Sequence, residues 1–221
     1  MNNELLIAAA VAALAIAVAV YRSRAQFSGD SGAEWGSDDA PEEPTQETTI
    51  FQDAIVAVSP STYYTPNVNV IAMEKNLSAY LDMIAYSEGT AGPQGYSTLF
   101  GGGHFVSYAD HPRQFFSFTD KTGKVNKTSA AGRYQFLART WDDLRAKLGL
   151  TDFGPAAQDA AAIELIRQRG ALNDVKAGRI ADAVAKCAPI WASLPGAGYN
   201  QPERKLSALV ASYTNAGGEL A

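Results

Sequence analysis

The chain has 221 residues, 47 % of them apolar and 19 % charged, enough for one ordinary domain with its own core plus additional chain. Its 18 Lys and Arg stand against 23 Asp and Glu, a formal net charge of -5. A single cysteine, Cys187, excludes an intrachain disulfide framework and leaves too few soft ligands for structural zinc; His104 and His111 supply zinc hydrolysis or a histidine triad poorly.

The charge is unevenly spread. Residues 1–21 carry Glu4 alone, residues 22–53 carry eight acids against Arg22 and Arg24, and residues 76–221 carry 15 bases against 13 acids. So small a basic excess does not make a duplex-binding surface, and no nucleic-acid partner is expected. No cofactor and no metal are expected either.

From Leu5 to Tyr21 the sequence LLIAAAVAALAIAVAVY is free of charge and then meets Arg22 and Arg24. As a helix it is about 25 Å long, at the short end of a bilayer span, and its alanine content makes insertion weak. It predicts a transmembrane anchor over residues 1–24. A cleaved signal fits less well, because Met1-Asn2-Asn3-Glu4 places no basic side chain ahead of the apolar run. Residues 25–75 follow as an acidic linker. Its first part, rich in Ser, Gly, Pro and acids, buries too little surface to order itself, while 50–75 is richer in Val, Ile and Tyr and suits extended chain lying on the domain or a partner.

From residue 76 a third region, 76–221, reads as a mainly helical domain. In NLSAYLDMIAYSEGT the residues Leu77, Tyr80, Leu81 and Ile84 recur at three- and four-residue steps, which predicts a helix with one face on a core. Glu88 is the next member of that stripe and Gly89 is a helix stop. On spacing alone the simpler reading of Glu88 is the exposed last residue of an amphipathic helix. The functional reading is a general acid, since partial desolvation and the negative end of the helix dipole both raise a carboxyl's pKa.

Residues 95–136, with Thr, Tyr, Phe and Val runs, Gly101-Gly102-Gly103 and an Asp-Lys-Thr-Gly turn at 120–123, predict a small β-hairpin lobe. Four helices are expected after it. One covers about 141–148, with a capping box from Thr140 and Asp143; another opens at Pro155 and closes at Gly170. A third covers 178–187 and the last runs from Pro202 to Asn215, with the loop PIWASLPGAGYNQ between them. The fold class is α+β, a small β lobe against a helical lobe with Glu88 on the floor of the groove between. Asp110 reads as a turn cap, Trp191 as core and Cys187 as buried packing rather than a nucleophile.

The segments LDMIAYSEGT (81–90), YADHPR (108–113), SAAGRYQFL (129–137), LGLTDFGPAAQDA (148–160), IRQRGAL (166–172) and CAPIWASLPGAGYNQ (187–201) stand in one order over about 140 residues. Together they resemble the bacteriophage lambda lysozyme, or endolysin, family of the lytic transglycosylase type. The resemblance implies a lysozyme-like fold, bacterial peptidoglycan as substrate, and Glu88 as the acid/base that cleaves the bond between N-acetylmuramic acid and N-acetylglucosamine with a 1,6-anhydro product. It also implies that Tyr134 and Gln135 face the groove and hydrogen-bond a sugar acetamido group. Tyr199 is expected to stack on sugar rings from an upper lip, although loop packing is its plainer role. Lys121, Lys124 and Lys127 are within reach of peptide-stem carboxylates or are simply solvated.

Three functions remain open at this point: a transglycosylase, a hydrolase using water, and a non-catalytic glycan-binding membrane protein. The anchor over residues 5–21 predicts a single-pass membrane protein. It is expected in a virion membrane, acting as the virus enters its host, with residues 50–75 available to other virion proteins, or in the host inner membrane with the domain in the periplasm, acting in host lysis.

Overall fold

The computed structural model describes residues 68–221. The expected anchor and linker, residues 5–21 and 50–67 included, lie outside the described residues.

Six α-helices, a single 3-10 turn at Gly95–Ser97 and one hairpin make up the described chain: α1 (Val68–Ser87), β1 (Phe116–Thr119), β2 (Val125–Thr128), α2 (Ala138–Leu148), α3 (Pro155–Gln168), α4 (Leu172–Lys176), α5 (Ile180–Cys187) and α6 (Leu206–Asn215). The stripe Leu77, Tyr80, Leu81 and Ile84 is fully buried, as its period requires, and α1 packs on α4 and α6. The longest helix, α1, starts at Val68, eight positions before the expected domain boundary.

Alpha1 ends where sequence places its stop. Gly89 takes φ +75°, its N–H donates to Tyr86 O (3.2 Å), and Thr90 N–H donates to Ala85 O (2.8 Å). This pair of bonds is a Schellman cap and makes Glu88 the capping residue.

The hairpin is antiparallel, with Phe116 opposite Thr128 and Thr119 opposite Val125. Asp120 holds the turn, accepting from the Thr122 hydroxyl (2.6 Å), Asn126 Nδ2, Thr122 N and Lys124 N, and these bonds, the Thr122 hydroxyl's above all, lower its pKa to about 2. The inner hairpin face, Phe116 and Phe118, packs on Phe100. Behind the lobe, Phe105, Tyr134, Phe136, Trp141 and Phe153 form an aromatic core, with Trp141 and Phe153 rings 4.6 Å apart.

Two helix starts and one additional helix differ from expectation. Alpha2 begins at Ala138 with Leu137 as its extended cap and no side-chain cap bond, so Thr140 lies inside the first turn. The short α4 was not foreseen. Alpha6 begins at Leu206 rather than Pro202, because residues 203 and 204 are drawn back onto the preceding loop: Glu203 accepts from Gly196 N and Gly198 N, and Arg204 N donates to Ser193 O.

Among the described residues no helix is long and apolar enough to cross a membrane. Alpha1 has the length, at 20 residues, but carries Glu74, Lys75 and Asp82.

Candidate active site

Glu88 leaves the C-terminus of α1 half-buried. Burial raises its carboxyl pKa to about 7 from an ordinary 4.5, the effect expected from a carboxyl carried onto a core face. Two groups oppose that rise: a hydrogen bond from Ser193 and the positive charge of Arg204. Neither was legible in the sequence.

Ser193 Oγ lies 2.6 Å from Glu88 Oε1 and 2.9 Å from Ser87 Oγ, while the Ser87 hydroxyl donates to Ile84 O at 2.8 Å. Since Ser87 has spent its one proton, the Ser193 proton is free to serve either neighbour. It goes to Glu88 when the carboxyl is ionised. When the carboxyl is protonated, Glu88 can donate to Ser193, which then donates to Ser87. The serine pair thus satisfies both protonation states of Glu88 without moving backbone.

The segment that carries Ser193 continues to the hairpin, where Asn200 O accepts from Lys121 N at 3.1 Å. Loop 193–200 therefore joins the Glu88 neighbourhood to the β lobe and frames the approach between them. Tyr199 projects from it, 48 % exposed, with its hydroxyl donating to Pro189 O at 2.8 Å. One edge is tied and the ring is left accessible, which suits an aromatic lip. Lys121, Lys124 and Lys127 are exposed on the hairpin.

Tyr134 corrects the sequence reading. It is 1 % exposed, its hydroxyl donates to the buried Asp159 Oδ1 at 2.5 Å, and Tyr96 donates to the same oxygen at 2.9 Å. Its carbonyl accepts from Trp191 Nε1 at 3.1 Å. Tyr134 is a core residue that anchors α3 to the β lobe, because a carboxylate buried in α3 needs hydroxyl donors and Tyr134 supplies one. Gln135, at φ +47°, sends its amide nitrogen to Gly132 O (2.9 Å) and Thr98 O (3.3 Å), bonds that fasten a turn.

The other acids are occupied elsewhere. Asp82 pairs with Arg133 at 2.7 Å; Asp110 caps His111 N and pairs with Arg113 and Arg145; Glu203 holds the amides of Gly196 and Gly198. No carboxylate is among the groups that set the pKa of Glu88. Cys187 is buried, with its thiol pushed up to about 11, the opposite of an activated nucleophile. Among the described residues no group of three His, Cys, Asp or Glu converges as a metal site.

Residues 78–220 match the family described as Endolysin. The endolysin of Escherichia phage lambda is 44 % identical over 155 residues, covering 67 % of this chain and 96 % of that protein. The endolysin of Escherichia phage P2 is 45 % identical over 163 residues, covering 67 % and 97 %. Among solved structures, bacteriophage lambda lysozyme complexed with a chitohexasaccharide superposes with a TM-score of 0.62 at 46 % identity, and lysozyme from bacteriophage lambda with 0.58 at 44 % identity; each covers 66 % of this chain and 97 % of the other.

These relatives correct the expected localisation. Two thirds of this chain accounts for nearly the whole of each endolysin, and the helices of that portion are packed on protein, none of them fit to span a bilayer. The single-pass membrane protein expected from residues 5–21 is withdrawn in both its settings, the virion membrane and the host inner membrane.

Proposed function

The chain belongs to the endolysin family, and from that premise we propose that it is a lytic transglycosylase in which Glu88 is general acid and then general base. At the coarser level it is a lysozyme-like, peptidoglycan-degrading enzyme. The observation that carries the finer reading is the Glu88 carboxyl at the end of α1, raised by burial to about 7 and hydrogen-bonded by Ser193.

Ordinary glycosidases use two carboxyl groups about 5–10 Å apart, one as acid and one as nucleophile or water-activating base. A site with one such group needs the second function from the substrate. The 6-hydroxyl of the muramic residue can provide it, since it is held on the sugar being attacked. Protonated Glu88 gives its proton to the glycosidic oxygen as the bond to C1 breaks. Its carboxylate then takes the proton of the 6-hydroxyl as O6 bonds to C1. One chain end becomes a 1,6-anhydro sugar, the other a free 4-hydroxyl, and Glu88 is protonated again.

The Ser193 proton suits this cycle, because it follows the charge on Glu88. Tyr199 would contribute a ring face to the sugars. Lysis of the host wall is the setting this reading takes.

Wild type and Glu88→Gln are compared on purified peptidoglycan, with products read by mass. Products one water lighter than reducing ends, lost in the variant, are expected. Reducing ends from the wild type would make the enzyme a hydrolase. Equal activity of the two proteins would remove Glu88 from the mechanism, and wall binding without cleavage would leave a glycan-binding protein.

A further inference from the structure

Arginines in this domain are mostly spoken for. Arg113, Arg133, Arg145, Arg167 and Arg179 each contact a carboxylate. Arg204 is exposed and forms no ion pair with a carboxylate among the described residues, although Glu203 is its neighbour in sequence. Glu203 is turned away and committed to the amides of Gly196 and Gly198.

The position of Arg204 is fixed by its surroundings. Its backbone N–H donates to Ser193 O at 2.7 Å, its Nε reaches Ser87 O at 3.4 Å, and its guanidinium carbon lies 5.3 Å from the centre of the Tyr86 ring. Ser87 and Ser193 are the two serines at Glu88, so a planar cation with its outer nitrogens uncommitted stands beside the candidate acid. Holding the cation over an aromatic face keeps it in place without neutralising it. A guanidinium so placed matches a carboxylate in a two-pronged pairing that an ammonium cannot reproduce.

We propose that Arg204 is a specificity-determining residue of this site, pairing with a carboxylate that the substrate carries on the muramic acid side of the scissile bond. This rests on the peptidoglycan reading above. Each muramic residue bears a lactyl group at O3: bare, it is itself a carboxylate, and when joined to a peptide stem it passes the role to carboxylates of that stem. Either anion is absent from a neutral chitin oligosaccharide.

The test measures Arg204→Gln and Arg204→Lys on three glycans: stem-bearing peptidoglycan, glycan strands stripped of their stems, and a chitin hexasaccharide followed by calorimetric binding. Thermal midpoints serve as a folding control. For Arg204→Gln, kcat/KM on an anionic glycan, taken from a full pH profile at each variant's optimum because Arg204 also acts on Glu88, falls about 10-fold, narrowing at high salt, while chitin affinity stays within about 2-fold. Arg204→Lys recovers part of the loss. A fall confined to stem-bearing material assigns the carboxylate to the stem, and a fall on stripped strands assigns it to the lactyl group. An equal weakening on neutral chitin, or no fall on either anionic glycan, overturns the role of Arg204 while leaving the proposed function standing. Peptidoglycan left uncut by the wild type overturns the proposed function itself and this pairing with it.

Discussion

Ser193 Oγ and Glu88 Oε1 are 2.6 Å apart although 105 positions separate them in the chain. The bond favours the charged carboxyl and so lowers a pKa that burial raises. Ser193→Ala is expected to move the alkaline limb of the kcat/KM profile to higher pH and to lower the plateau about 10-fold, as one hydrogen bond to a charged group is lost. Ser87→Ala, which leaves the Ser193 bond to Glu88 in place, should move the limb little. A pH profile of each variant on peptidoglycan checks both, and an unmoved limb in Ser193→Ala would show that the bond does not tune Glu88.

The pH dependence of activity and of stability share one cause. Glu88 must be protonated to act as an acid, so kcat/KM falls as pH rises through about 7. Folded protein holds this proton more tightly than the unfolded chain does. The stability this contributes is complete below about 4.5, the ordinary value, and is lost as pH rises through about 7. Glu88→Gln should therefore lower kcat about 1,000-fold, yet be more stable than wild type at pH 8 by about 1–2 kcal/mol, allowing for partial exposure, and gain nothing at pH 4. Denaturant titrations at the two pH values check the sign.

Tyr134→Phe separates core from groove. It removes one of the hydroxyl donors to the buried Asp159 carboxylate and should cost about 1–3 kcal/mol in stability with KM unchanged. A rise in KM at unchanged stability would return Tyr134 to the groove.

For Tyr199→Ala the opposite pattern is expected: KM up about 5-fold, with stability within about 0.5 kcal/mol, because the ring is half exposed and its one tie is to Pro189 O. Steady-state kinetics with a melting curve on the same preparation decides it.

Gly218 has no room for a side chain. A Cβ there would run into the Tyr213 ring, whose hydroxyl donates to Glu219 O at 3.0 Å. Gly218→Ala should cost about 2–4 kcal/mol by overpacking and loosen the C-terminus from α1, read as a lower midpoint in denaturant.

What sequence made legible here was local. The α1 stripe, its Gly89 stop and the raised pKa of Glu88 follow from period, cap and burial, all within one helix. The Asp120–Gly123 turn and Pro155 at the start of α3 are of the same kind. Ser193 and Arg204 were invisible because their part depends on a loop returning to α1 across more than a hundred residues, and a serine in a loop carries no period. Tyr134 was misplaced for a related reason: a tyrosine suits groove and core equally until its hydroxyl is seen to meet Asp159. The start of α6 was set by Glu203 and Arg204 bonding backward, which Pro202 does not reveal.

The C-terminal segment is stitched to the middle of α1: Glu219 N donates to Asn76 Oδ1 at 2.8 Å, and Lys75 reaches the Glu219 carboxylate at 3.1 Å. The C-terminal segment is thus held at the middle of α1, while Glu88 follows the helix's last residue, about 20 Å from Lys75 at 1.5 Å per residue. A polymer strand lying across Glu88 need not thread past the C-terminal segment. The C-terminus beside Glu219 is accordingly the place to fuse a reporter or tether the enzyme to a surface, away from Glu88.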